Sequence, residues 1–207
     1  MSERHVFFRS GPLRLEGMLS LNEPGLGAVV AHPHSLYGGT MDDYVVGIAV
    51  SALAHAGWST LRFNFRGVGG SGGAFNQGHG EADDMVAAAD YLKQQSMGRL
   101  LAAGYSFGAY VAARAWPGLS ALGADPLVLI APPASMMDFD FMTAETQVGL
   151  IVCGEEDSIA PPTAAQELNA RLARPAALAV IPGADHFFGG AAKTLAQALA
   201  DYLSSKS

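Results

Sequence analysis

The stretch Gly104-Tyr105-Ser106-Phe107-Gly108 carries residue types whose spacing points to chemistry. It follows an apolar run over 100–103 and precedes a helical pattern over 109–116, so Ser106 falls where a buried strand turns sharply into a helix. In such an elbow the serine backbone is strained so that its hydroxyl stands above the sheet. Glycines two residues to either side remove the Cβ atoms that would clash. A serine hydroxyl is a weak nucleophile until a histidine takes its proton, and that histidine needs a carboxylate to fix its tautomer and stabilise the imidazolium. Both types recur at comparable places. Asp157 ends Gly154-Glu155-Glu156-Asp157 after one apolar run, and His186 ends Ala184-Asp185-His186 after the last. Asp138 and Asp140, after the preceding run, are the alternative carboxylates, and Asp185 reads as a hydrogen-bonding neighbour of the histidine.

Other residue patterns admit competing chemistry. His32 and His34 have the spacing of two metal ligands, but no further cluster of ligand spacing accompanies them, so no metal is expected. Residues 67–72 formally read G-x-G-x-x-G after a strand. These glycines do not open a helix and no acidic strand end follows at the required distance, which argues against a dinucleotide site. Met136, Met137, Phe139, Phe141 and Met142 crowd one connecting segment. They read either as core cover or as an adaptable wall for an acyl group, joined by Tyr37, Phe187 and Phe188.

The elements that must position these residues follow from periodicity. Residues 6–9 and 13–21 are strand-like around a Gly11-Pro12 turn, predicting an antiparallel pair at a sheet edge, with a turn over 22–27. Continuous apolar runs at 27–31, 58–65, 100–103, 127–131, 148–153 and 177–181 predict strands buried on both faces. Between them lie helical patterns at 44–56, with Thr40 and Asp43 as a capping box, at 81–97, 109–116 and 162–173, and a last helix at 191–203. Alternating strands and helices predict a mostly parallel sheet with right-handed crossovers, in one domain over 1–207. With 15% charged residues and a formal net charge of -7, the chain has no basic footprint for nucleic acid and no pull toward anionic lipid. The lone Cys153 excludes an intrachain disulfide framework, and the N-terminus has no apolar signal region. A cytoplasmic protein with a small-molecule partner is expected.

Taken together, these motifs resemble the α/β-hydrolase superfamily, its lidless bacterial members most closely. The resemblance rests on His32-Pro33-His34 with Gly38-Gly39, the run Arg62-Phe63-Asn64-Phe65-Arg66-Gly67-Val68-Gly69, the Ser106 elbow, Gly154-x-x-Asp157 and Asp185-His186, in the chain order Ser, Asp, His. It implies an α/β-hydrolase fold with helices on both faces of the sheet and no cap domain. It further implies Ser106 as nucleophile, His186 as general base and then acid, Asp157 as its orienter, and no cofactor. The oxyanion donors would be the backbone N–H of Phe107 and that of His34, with Ser35 competing because Pro33 replaces the usual glycine and has no N–H. Tyr37, Met136, Met137 and Phe187 would border the substrate. The activity implied is hydrolysis of small carboxylic esters through an acyl-enzyme, rising with pH as His186 becomes neutral. Amide, peptide or thioester hydrolysis on the same three residues is the enzymatic alternative, and a noncatalytic ligand-binding protein of this fold is the non-enzymatic one.

Overall fold

In the computed structural model, which describes residues 3–22, 25–96 and 98–205, the central strands bury side chains alternately to either side. In β3 (Leu26–Ala31), Val29 and Ala31 enter one core cluster while Ala28 and Val30 enter the other. In β5 (Arg99–Tyr105), Leu100 and Ala102 face one way, and Leu101, Ala103 and Tyr105 the other. Strands of this kind need cover on both faces, which is why they read as unbroken apolar runs.

With β1 (Arg4–Ser10), β2 (Leu13–Ser20), β4 (Ser59–Phe63), β6 (Leu127–Ile130), β7 (Val148–Gly154) and β8 (Ala177–Ile181), they form an eight-stranded sheet in the order β1-β2-β4-β3-β5-β6-β7-β8. The pairs from β4 across to β8 are parallel. β1 and β2 form the antiparallel edge hairpin, and β2 also runs antiparallel to β4. Helices α1 (Tyr44–His55) and α6 (Ala192–Ser204) cover one face. The other face is covered by α2 (His79–Ser96), α3 (Phe107–Arg114), α4 (Trp116–Ala121) and α5 (Pro162–Ala170). Glu23 and Pro24 of the expected turn, and Met97 at the expected end of α2, lie outside the described residues.

Three local expectations are corrected. The N-cap of α1 is Asp43, whose carboxylate accepts from the Val45 N–H at 2.8 Å; Thr40 Oγ1 instead accepts from the Asp42 N–H. The helix after the elbow ends at Arg114 and restarts at Trp116, because Pro117 cannot continue a helix but fits the first turn of one. Helix α5 stops at Ala170, three residues short of the expected end.

Residues 131–147, between β6 and β7, contain neither helix nor strand, so among the described residues no cap domain is inserted there. No helix of the described residues is long and apolar enough to cross a membrane.

β3 and β5 are neighbours, yet the helices that follow them, α1 and α3, leave to opposite faces of the sheet. Their carboxyl ends therefore bound a crevice, the place where an open α/β sheet collects functional side chains.

Candidate active site

Ser106 stands between β5 and α3 with φ 54° and ψ −118°, a conformation an L-residue adopts only when its surroundings impose it. The surroundings do so from both sides. Its N–H is held by the Ile130 carbonyl of β6 at 2.8 Å, and its own carbonyl accepts from the Ala109 and Tyr110 N–H groups. The two glycines are needed for close approach. A Cβ on Gly104 would collide with the Gly108 carbonyl, and one on Gly108 with the Ala31 carbonyl of the adjacent strand.

The loops after β7 and β8 are stitched together: Glu155 N–H donates to the Ile181 carbonyl and Glu156 N–H to the Ala184 carbonyl, both at 2.9 Å. A Cβ on Gly154 would strike the Ala184 carbonyl, which explains the glycine of Gly154-x-x-Asp157. This contact brings two buried side chains together. His186 Nδ1 lies 2.7 Å from Asp157 Oδ2, and His186 Nε2 lies 3.0 Å from Ser106 Oγ. The carboxylate fixes the proton on Nδ1 and leaves Nε2 free to accept from the serine. Asp157 Oδ1 is itself held by the N–H groups of Ile159 and Ala160 at 2.9 and 2.7 Å. The alternative carboxylates are engaged elsewhere. Asp138 accepts from the Asp140 N–H, and Asp140 pairs with Arg171. Asp185 accepts from the Phe187 and Gly189 N–H groups and so shapes the histidine loop.

The His32-Pro33-His34 loop is pinned by its own imidazoles. His32 is buried; its Nε2 accepts from the Phe65 N–H at 3.1 Å, and its Nδ1 donates to the Pro33 carbonyl at 2.7 Å. Burial pushes its pKa down to about 4, so the ring is neutral and both nitrogens are engaged within the protein. His34 Nδ1 accepts from the Leu36 N–H, capping the short 3₁₀ turn Ser35–Tyr37, and its ring lies 4.6 Å from that of Phe107. Desolvation lowers its pKa as well. Among the described residues, the backbone N–H groups of His34, Ser35 and Phe107 have no acceptor.

Of the expected substrate contacts, Tyr37, Met136 and Phe187 are 87%, 72% and 62% exposed and come from the loops after β3, β6 and β8. The Phe187 ring lies 5.6 Å from that of His186. Met137 is half-buried; it packs against the main core and lines a cavity of about 110 Å³ with Ala164 and Leu168 of α5.

In the glycine-rich loop over 66–80 the Arg66 guanidinium grips the fully buried Asp84 carboxylate through Nε at 2.9 Å and Nη2 at 2.8 Å. Glu81, also fully buried, accepts from the Asn76 and Gly78 N–H groups. The Gly70 N–H is turned inward onto Glu16, and with Asn64 and His5 it holds that carboxyl below its ordinary range. Within the G-x-G-x-x-G run the Gly70 N–H is thus held by a protein carboxylate, and those of Gly67, Val68, Ser71 and Gly72 by backbone carbonyls.

Sequence reasoning missed the burial of Glu81 and Asp84, legible only from the helical periodicity that places Glu81, Asp84, Met85 and Ala88 on one face of α2. It also missed Tyr105, whose hydroxyl donates to the backbone carbonyl of His186 at 3.0 Å. Its partner is a backbone atom 81 positions away, so no side-chain pattern announces it.

Comparison with known proteins agrees with this geometry. No family model matches the chain. It is 35% identical to an uncharacterized protein of Rickettsia prowazekii, over 96% of this chain and 87% of that one. Among solved structures, it is similar to an α/β serine hydrolase without a lid from Xanthomonas campestris, at 35% identity and a TM-score of 0.88, covering 100% of this chain and 95% of that one. An α/β serine hydrolase homologue from Coxiella burnetii is 30% identical with a TM-score of 0.88, and 97% of each chain is covered. Sequence, topology and the arrangement around Ser106 agree: the chain belongs to the α/β-hydrolase superfamily.

Proposed function

We propose that the protein is a serine hydrolase that cleaves small carboxylic esters through an acyl-enzyme. The observation that carries this reading is the unbroken relay from Ser106 Oγ to His186 Nε2 at 3.0 Å and from His186 Nδ1 to Asp157 Oδ2 at 2.7 Å. In the first half-reaction Ser106 Oγ attacks the ester carbonyl carbon and passes its proton to Nε2. The carbonyl oxygen becomes an oxyanion, stabilised by the Phe107 N–H and by the N–H of His34 or Ser35. Collapse breaks the bond to the alkoxy oxygen, which leaves as an alcohol with the proton from Nε2. Water then gives a proton to Nε2 and attacks the acyl carbon, and the acid departs as Ser106 recovers its hydrogen. Asp157 stays ionised throughout and holds the imidazolium in place.

A small, soluble ester is favoured over a long lipid chain by the open surroundings of the site. Phe187 lies beside His186 and Tyr37 beside His34, both exposed, and among the described residues no cap is inserted between β6 and β7, which suits a small, loosely specified substrate. The test is a fluorophosphonate probe applied to the folded protein beside a Ser106→Ala control, with the adduct located by peptide mass spectrometry. Stoichiometric labelling at Ser106 that vanishes in the control is the expected result, followed by faster turnover of esters than of matched amides. A folded protein that the probe leaves unlabelled would overturn the hydrolase reading.

A further inference from the structure

Tyr105 is the first of the two variable positions of the Gly-x-Ser-x-Gly pattern, and nothing in the elbow itself requires a tyrosine there. It is the last residue of β5, buried on the α1 and α6 side of the sheet. Its hydroxyl donates to the His186 carbonyl at 3.0 Å, and its ring lies 5.4 Å from the His186 imidazole. One residue is thus bonded covalently to the nucleophile and by hydrogen bond to the backbone of the base. The loop that carries His186 turns sharply. Gly183, Phe188 and Gly190 all have positive φ, at 63°, 54° and 74°. The backbone ties of that loop run to the β7 side: the Gly183 N–H donates to the Glu155 carboxylate and the Ala184 carbonyl accepts from the Glu156 N–H. Those ties register His186 against Asp157, and the Tyr105 hydroxyl registers it against Ser106.

We infer that Tyr105 is a positioning residue that sets the distance and angle between Ser106 Oγ and His186 Nε2. The inference rests on the hydrolase reading above. Burial, with the nearby carboxylates Asp43, Asp157 and Asp185, raises the phenol pKa, so the hydroxyl remains a donor across the working pH range. The geometric demand of proton transfer makes the bond matter, since a small misplacement of reacting groups is costly in rate.

The test is Tyr105→Phe, which removes one oxygen and keeps the ring. Expected are a roughly tenfold fall in kcat with KM within about twofold, and an equal slowing of fluorophosphonate labelling at Ser106. The downfield proton signal of the His186 Nδ1–H, shared with Asp157, should persist, because that pair is fixed from the β7 side. Tyr110→Phe is the control. It also deletes a hydroxyl that is hydrogen-bonded, here to Arg114 at 2.7 Å, and should leave kcat unchanged. Wild-type kcat and labelling rate in Tyr105→Phe, per folded molecule, would overturn the inference. So would a loss matched by Tyr110→Phe, which would mark a general cost of deleting such hydroxyls. If the wild-type protein is not labelled at all, it is the hydrolase reading that fails.

Discussion

On the β4 side of Ser106, the glycine-rich loop hangs from carboxylates: Arg66 on the buried Asp84, the Asn76 and Gly78 N–H groups on the buried Glu81, and the Gly70 N–H on the half-buried Glu16. On the β6 side, the segment over 132–146 is fastened by rings. Tyr110 of α3 meets Phe139 and Phe141 edge-on at 5.4 and 5.3 Å, and the ion pair of that segment, Arg171 with Asp140, lies in solvent. The contrast is physical. A buried carboxylate accepts from donors at fixed positions and is costly to strand, so it allows one loop conformation. Aromatic contacts are nondirectional by comparison and accept substitutes of similar volume. One flank of the site is therefore built to hold its glycine-rich loop still, and the other can change its surface without disturbing the serine.

The two ion pairs give the sharpest form of this comparison. Arg66→Ala would leave Asp84, whose side chain is 0% exposed, without its partner, and should cost about 3–5 kcal/mol of stability in urea unfolding. Retained stability in that variant would show that the loop does not depend on its buried charge.

A pH effect of intermediate size follows from His32. Its folded pKa is depressed to about 4 from 6.5, so as pH falls below 6.5 the unfolded chain takes up the proton first. The stability this ring contributes is fully present above pH 6.5 and is lost as pH falls toward 4, to the extent of roughly 2–3 kcal/mol. His32→Gln keeps a donor and an acceptor but does not titrate. Unfolding at pH 7 and pH 4.5 should show the wild-type protein losing more stability than this variant, and parallel losses would contradict the assignment.

The smallest effect belongs to the exposed pair. Arg171→Ala, with side chains 54% and 74% exposed, should change stability by less than about 1 kcal/mol. A cost as large as that of Arg66→Ala would erase the distinction between the two flanks.

The same contrast explains how far the sequence could be read. Ser106, Gly104, Gly108 and Gly154 were legible because a steric requirement of the backbone selects the residue, and the collisions a Cβ would make there are with main-chain carbonyls. The edge hairpin and the buried strands were legible because period and run length report faces. What failed depended on packing between segments far apart in sequence. Arg66 and Asp84 are 18 residues apart and Tyr105 and His186 are 81 apart, and nothing local pairs them. Met137 could not be told from Met136 by composition, although one covers α5 and the other stands in solvent.

The central claim is that Ser106 carries the acyl group through the reaction. The direct measurement is to mix the protein with a small activated ester such as a p-nitrophenyl acylate, quench in acid within the first turnover, and map the acyl mass by peptide sequencing. The account predicts a burst of one alcohol per protein and an acyl group on Ser106, both abolished in Ser106→Ala. Turnover with no acyl group on Ser106, or with the acyl group on another residue, would contradict it.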